Sequence, residues 1–313
     1  SYGMTQGRSI RLFLVDGAPN GLLTAEIMNW TGHVLTGPRS KLPEILERPE
    51  CARTGIYFLV GPDPENSMRP LVYIGESDDV AARLKQHNRE GAKGGKDFWE
   101  KVCLVTSKDQ NLTKAHVKYL ESQLMAQAKL AGRCGLVNNT AHEYGVLPEA
   151  DQSDMAFFAE QIRIVLPVLG FDFLKTPAES GAAKQAPASP DSPVFEMRIP
   201  KYGIKAQARE IDGEFVVLEG SLARESWVSE HKGYSDLFQQ LVQDEVLVAD
   251  GNGKRRFTKD HGFSSPSAAA AVVSGRNANG RTSWYVEGTK KSYSDWQDEI
   301  ISQQSDESEQ GEV

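Results

Sequence analysis

Tyr57, Tyr73, Arg83, His87 and Glu121 are side chains able to do chemistry, and they fall in an order that two strands and two helices could bring together. Hydrolysis of a phosphodiester needs an activated water, a cation to neutralise the phosphate oxygens, and a group that tolerates charge on the leaving oxygen. A phenol or imidazole can move the proton, a guanidinium can sit on the phosphate, and a carboxylate can hold a hard divalent cation. The ordered set of tyrosines, Arg/His pair and carboxylate therefore points to a site that cuts phosphodiesters.

The elements that must position these groups are legible from pattern. Gly55 to Gly61 (GIYFLVG) reads as a buried strand, and Leu71 to Gly75, after a Pro-rich turn, as its antiparallel partner. Ser77 is expected to cap a helix that opens with Asp78 and Asp79 and runs to about Asn88. At about 100° per residue, Arg83 and His87 share the face of Val80 and Leu84, so both should point at the sheet. A solvated helix edge is the alternative for that pair. Val102 to Thr106 reads as a third strand. A helix starting at Asn111 or Thr113 runs to about Ala131, where Gly132 ends it. Glu121 lies at the margin of its apolar stripe (Val117, Leu120, Leu124, Ala128, Ala131), half-desolvated and in want of a cation. A structural Arg or Lys partner would serve as well as a metal. For Tyr57 and Tyr73 the competing reading is cross-strand aromatic packing.

The fold class expected is α+β: a three-stranded antiparallel sheet flanked by helices, behind a β-rich N-terminal extension, and followed by a second, mixed α/β domain. Residues 1–50 form the extension, with strands at Ser9 to Val15 and Leu23 to Trp30 and a short helix at Pro43 to Glu47. They either extend the sheet or cover its edge. Residues 51–174 form the first domain with a trailing helix. Lys175 to Pro193 (KTPAESGAAKQAPASPDSP) is a semi-extended linker. Residues 194–300 form the second domain, with strands at Val194 to Ile199, Ile204 to Ala208, Glu214 to Leu218 and Ser283 to Glu287, and helices at Ser235 to Gln243 and from Ser265. Residues 301–313 are expected to be a disordered acidic tail.

Composition sets bounds. The chain has 313 residues, 39% of them hydrophobic, enough for two cores. No apolar run approaches the roughly 20 residues a membrane span needs, and Ser1 to Ile10 lacks the build of a signal peptide, so a cytoplasmic location without membrane association is expected. Cys51, Cys103 and Cys134 suit neither a disulfide framework nor a zinc site and read as reduced packing residues. The net charge of -8 is unusual for a protein that binds nucleic acid, but the charge is uneven. Between Asp78 and Lys118 nine Lys or Arg stand against six Asp or Glu, while Ser302 to Val313 carries four acids and no base.

Gly55-Ile56-Tyr57 and Tyr73-Ile74-Gly75, followed by Arg83-x-x-x-His87 and Glu121, resemble the GIY-YIG endonuclease superfamily over about Thr54 to Thr140. The resemblance implies one divalent metal, Mg²⁺ or alternatively Mn²⁺, held by Glu121. It implies Tyr57 as, or assisting, the general base, Tyr73 and His87 assisting proton movement, and Arg83 stabilising the pentavalent phosphate. Asn138 is similar to the family's late Asn, with Asn139 an equal neighbour. Where many relatives have Lys after YIG this chain has Glu76, and Lys85, Arg89, Lys93 and Lys96 are expected to supply DNA backbone contacts instead. Residues 194 to about 297 are similar to a module of unknown function found fused to GIY-YIG nucleases and to restriction-associated methylases. The residues carrying that likeness are Gly213 to Ser221, the Ser265 to Ala270 helix start, and Asn279-Gly280 before Trp284. Its implied role is substrate recognition, with Trp227, His231, Arg255, Arg256, Arg276, Arg281 and Trp284 the residues of interest; a structural or protein-contact domain is the equal alternative, since no run of Arg with interleaved aromatics marks a nucleic-acid face. The activity expected is a metal-dependent endonuclease acting on DNA, RNA remaining open as substrate. The alternatives are a catalytically silent nucleic-acid-binding or scaffold protein and a restriction or phage-defence effector active only on a signal.

Overall fold

A computed structural model of the protein describes residues 7–63, 66–89, 95–138, 147–175, 193–211, 213–231 and 233–310. The chain divides into two compact units between Thr176 and Pro177, both mixed α+β.

In the first unit, β1 (Ile10–Leu14), β2 (Leu23–Ile27), β3 (Gly32–Pro38), β4 (Gly55–Asp63), β5 (Asn66–Ser77), β6 (Lys101–Ser107) and β7 (Gly135–Leu136) form one sheet in the order β1-β2-β3-β6-β4-β5-β7. The three expected strands, β4, β5 and β6, are thus the middle of a seven-stranded sheet. The N-terminal segment extends the sheet: β3 pairs with β6 from Gly32 opposite Ser107 to Pro38 opposite Lys101, satisfying an edge that would otherwise leave backbone groups unpaired. β3 has no counterpart in the sequence reading because Gly32, Gly37 and Pro38, residues disfavoured in strands, punctuate it.

Strand alternation sorts the core into two layers. Tyr57, Leu59, Leu35 and Leu104 face α1 (Leu42–Glu47) and α2 (Val80–His87), together with Trp99. Ile56, Phe58, Val72, Ile74 and Val105 face α3 (Lys114–Ala131) and α4 (Glu149–Val168). Burial on both faces explains why β4 reads as an unbroken apolar run. The cap of α2 is Asp79, whose carboxylate accepts from the Ala82 N–H, rather than Ser77, whose hydroxyl is tied to Asp79 instead. Thr113 caps α3, and His116 returns the bond to the Thr113 N–H. All three cysteines are buried and free.

In the second unit, β8 (Phe195–Ile199), β9 (Ile204–Ile211), β10 (Glu214–Val217), β14 (His261–Phe263) and β15 (Tyr285–Val286) form a sheet in the order β14-β10-β9-β8-β15. A smaller sheet has the order β11 (Leu222–Arg224), β13 (Lys254–Phe257), β12 (Leu247–Ala249). Phe195, Phe215, Trp284 and Tyr293 pack around the Ala-rich helix Pro266–Ser274, capped by Ser265. The residues carrying the likeness in this unit are structural: Trp284 is fully buried with its indole N–H on the Pro266 carbonyl, and a side chain at Gly280 would strike the Pro266 backbone. Trp284 is therefore withdrawn from ligands. The acidic tail, expected to be disordered, continues the helix Tyr293–Gln310. Tyr293 and Trp296 anchor its first turn against Phe195, and a nucleated helix propagates readily through Gln and Glu. No helix among the described residues is long and apolar enough to cross a membrane.

An ionic bridge ties the N-terminal strands to the segment leading into β4. His33 Nδ1 meets Glu26 at 2.8 Å and Nε2 meets Glu50 at 3.0 Å, while Arg48 adds a 3.1 Å contact to Glu50. The Glu50 hydrogen bond, working against desolvation and aided by Glu26, raises the His33 pKa above its ordinary 6.5. Burial opposes ionisation of Glu50, but His33 and Arg48 outweigh it and hold the pKa at about 2. The Glu50 contribution to stability is therefore complete above its ordinary value of 4.5 and fades as pH falls towards about 2. The His33 contribution is complete below 6.5 and is lost as pH rises through the raised value. Urea unfolding at about pH 5.5 and about pH 8.5 should show higher stability at the lower pH, and His33→Gln should shrink that difference. An undiminished difference in the variant would remove the bridge as its source.

Candidate active site

Tyr57, the third residue of β4, is fully buried, and its hydroxyl is 2.8 Å from His87 Nε2 at the last turn of α2. Tyr73 on β5 completes an aromatic triangle, with ring centroids 6.1 Å from Tyr57 and 4.8 Å from His87. The triangle depends on register. Gly75 stands directly opposite Tyr57, and a Cβ there would lie 2.5 Å from the Tyr57 hydroxyl oxygen and 2.8 Å from the Tyr73 ring. Only a residue without a side chain lets the phenol cross the neighbouring strand towards α2.

Arg83, one turn before His87 on α2, is half-buried and is oriented by Gln86, whose side-chain oxygen accepts from Nη1 at 2.9 Å. Its charge is felt by both phenols. Lys96 stands over the Tyr73 ring at 4.8 Å, and its backbone N–H donates to the His87 carbonyl. Desolvation, then the charges of Arg83 and Lys96, lower the His87 pKa to about 4, so the imidazole is neutral at physiological pH. Desolvation and the neighbouring Tyr73 push the Tyr57 pKa well above that of an ordinary phenol, against Arg83, so its hydroxyl keeps its proton at rest. His87 Nδ1 is buried without a hydrogen-bond partner among the described residues. A neutral imidazole with its proton on Nδ1 leaves Nε2 free to accept from the phenol.

Glu121 approaches differently. Its helix α3 packs on the other face of the sheet from Tyr57 and Tyr73, and its carboxylate lies near Glu76 on β5. Burial, then the Glu76 charge, raise its pKa to about 7, with Lys114 and Arg83 opposing. Glu76, in the position where a Lys was expected from the resemblance, is itself paired with Lys114 at 2.6 Å, so the cation is supplied from the first turn of α3. Sequence reading passed over Lys114 because its meeting with Glu76 depends on how α3 docks. Among the described residues no group of three or more His, Cys, Asp or Glu is placed to hold a metal. One buried carboxylate nonetheless suits Mg²⁺, which keeps waters and takes further oxygens from substrate phosphate.

Asn138 touches neither tyrosine. Its amide oxygen accepts from the Ile74 N–H at 3.2 Å and its amide nitrogen donates to the Ile74 carbonyl at 2.6 Å, so the side chain acts as a further strand partner after β7 and fixes the backbone between Tyr73 and Gly75. Asn139 and Lys93 lie outside the described residues. Lys85 and Arg89 are exposed on and just beyond α2, away from the triangle. Arg39, unnoticed in the sequence, stacks on Trp99 at 4.1 Å and donates to Asn88, Lys96, Asp97 and Trp99, holding the segment that presents Lys96.

Residues 195–297 match a family model described as "Domain of unknown function (DUF4357)", about a third of the chain. No curated protein and no solved structure matches the chain significantly.

Gly75→Ala should force Tyr57 off His87 and lower stability by about 1–3 kcal/mol, read by urea unfolding. Glu121 has a raised pKa, so its contribution to stability is complete below its ordinary 4.5 and is lost as pH rises through about 7. Glu121→Gln should consequently raise Tm at about pH 8 in EDTA and leave it nearly unchanged at about pH 4.5.

Proposed function

We propose that the first unit is a divalent-metal-dependent endonuclease of the GIY-YIG type that hydrolyses DNA, and that the second unit directs it to substrate. The observation that carries this reading is the buried Tyr57 hydroxyl paired with a neutral His87 beside Arg83 and Lys96. Tyr57, protonated at rest, becomes a base only by passing its proton on. Its hydroxyl proton moves to His87 Nε2 as the phenol oxygen takes a proton from the attacking water. The water oxygen bonds to phosphorus, the bond to the 3′ oxygen breaks, and that oxygen takes a proton from solvent, leaving 5′-phosphate and 3′-hydroxyl ends. Arg83 neutralises the phosphate oxygens, Tyr73 packs against His87, and Lys96 adds positive charge beside them. A bound Mg²⁺ held by Glu121 would supply Lewis-acid charge for the phosphate and leaving oxygen.

A second reading, nucleic-acid binding without cleavage, draws on the placement of Glu121 on the opposite layer from the tyrosines. Incubation with single- and double-stranded DNA and Mg²⁺ separates the two. Under the first, Tyr57→Phe, His87→Ala and Glu121→Ala each lower cleavage by about 100-fold or more. Under the second, Mg²⁺ leaves Tm unchanged while nucleic acid raises it. Cleavage by Glu121→Ala equal to that of the parent chain would rule the first out.

A further inference from the structure

The second unit carries a basic surface assembled from three separate stretches of sequence. On the smaller sheet Ala223, Leu247 and Phe257 point inward and are buried, so by alternation Leu222, Arg224, Lys254 and Arg256 share the outer face. Arg224 stands directly opposite Lys254 across the β11–β13 pair. The turn Pro200–Tyr202 adds Lys201 and Tyr202. The Arg224 guanidinium lies 4.0 Å from the Tyr202 ring centroid, Lys201 Nζ lies 5.5 Å from it, and Lys254 Nζ donates to the Gly203 carbonyl at 3.3 Å. Behind them, Gly275 in the left-handed region, φ +66°, lets the Arg224 stem pack closely: a Cβ at that position would come within 3.2 Å of it.

Like charges directly opposite one another on a sheet are destabilising, and no ion pair among the described residues offsets Arg224 and Lys254. Among the described residues no carboxylate forms an ion pair with Lys201, Arg224 or Lys254. Asp250 is taken by Arg256 at 3.4 Å, and Glu225 lies at the margin beside Gly253. Tyr202 already has the Arg224 guanidinium against its ring. Its function is to hold the Arg224 fork rigid, which lowers the entropy lost when that fork meets a planar anion. Lys254 and Arg256, about 7 Å apart along the strand, are placed for separate phosphates.

We infer that this face, formed by Lys201, Tyr202, Arg224, Lys254 and Arg256, is a DNA-backbone binding site. It rests on the nuclease reading for the choice of DNA over other polyanions. Binding through phosphate alone makes the site indifferent to sequence, so it supplies residence on DNA while selection lies elsewhere.

The test is fluorescence anisotropy of the full chain with labelled random-sequence duplex in EDTA, titrated over a range of salt. Charge reversal by Arg224→Glu with Lys254→Glu should weaken binding by about tenfold or more and reduce the slope of log K against log[salt] by about 2. Tyr202→Ala should weaken it by a smaller factor, and Lys290→Glu, on an exposed site of the same unit, should leave it unchanged. A Tm of the double variant within a few degrees of the parent excludes misfolding, and should the double variant be unfolded, Tyr202→Ala with Lys201→Gln decides in its place. Parental affinity and slope in the folded variant overturn the site, as does binding of the parent chain only to RNA or to anionic vesicles. Loss of binding in the variant while the parent fails to cut DNA with Mg²⁺ leaves the site standing and removes the nuclease reading alone.

Discussion

The first unit is organised around the phenol of Tyr57 crossing an adjacent strand through the gap left by Gly75. A hydroxyl at the end of a buried ring must find a partner, and it finds one on α2. The 2.8 Å contact with His87 therefore fixes several other things. It sets the rotation of α2, which brings Arg83 within electrostatic reach of both tyrosines, and it makes the register of β4 against β5 unforgiving. A slip of one residue would place Ile74 or Glu76 against the phenol and exchange every core side chain between layers.

The backbone on either side of that gap is clamped by groups with no chemistry of their own. Asn138 satisfies both polar groups of Ile74, and the β3–β6 pairing keeps the far edge of the central strands covered. Arg39 spends its donors on the segment carrying Lys96, from a position more than forty residues earlier in the chain. The N-terminal strands thus contribute to the site without supplying a residue that reacts. The Nδ1 of His87 is one of several buried side-chain atoms without a hydrogen-bond partner among the described residues, and a buried imidazole nitrogen left so costs about 1–3 kcal/mol. Such a cost is kept where the group has work to do.

Much of this was legible in the sequence, and the residues show why. The β4 run, the Thr113 cap and Gly132 terminus of α3, and the shared face of Arg83, His87, Val80 and Leu84 are local patterns set by periods of 2.0 and 3.6. The triangle of Tyr57, Tyr73 and His87 needs more than those periods, because it depends on Gly75 standing opposite Tyr57. What the sequence concealed is non-local. β3 is interrupted by Gly and Pro, β7 is two residues long, and β11 to β14 are too short for alternation to register. The Lys114–Glu76 pair, the Arg39 clamp and the convergence of Tyr202 with Arg224 each depend on how distant segments dock. Trp284 shows the reverse error, an aromatic that suggested recognition and serves as packing.

Arg83 gives the site its electrostatic logic. It pulls down the proton affinity of Tyr57, of His87 and of Glu121 alike, so one guanidinium acts on the phenol, the imidazole and a carboxylate rooted in the opposite layer. Burial works with it at His87 and against it at the two acids. The resting site consequently holds a protonated phenol, a neutral imidazole and a carboxylate near half-ionisation, a set that stores little net charge in a poorly solvated place. Arrival of an anion would weaken the field of Arg83 and raise the proton affinity of His87 and Tyr57 alike, whereas arrival of a cation at Glu121 would favour ionisation of that carboxylate. Glu76, locked to Lys114 yet near enough to raise the proton affinity of Glu121, leaves that carboxylate sensitive to such a cation.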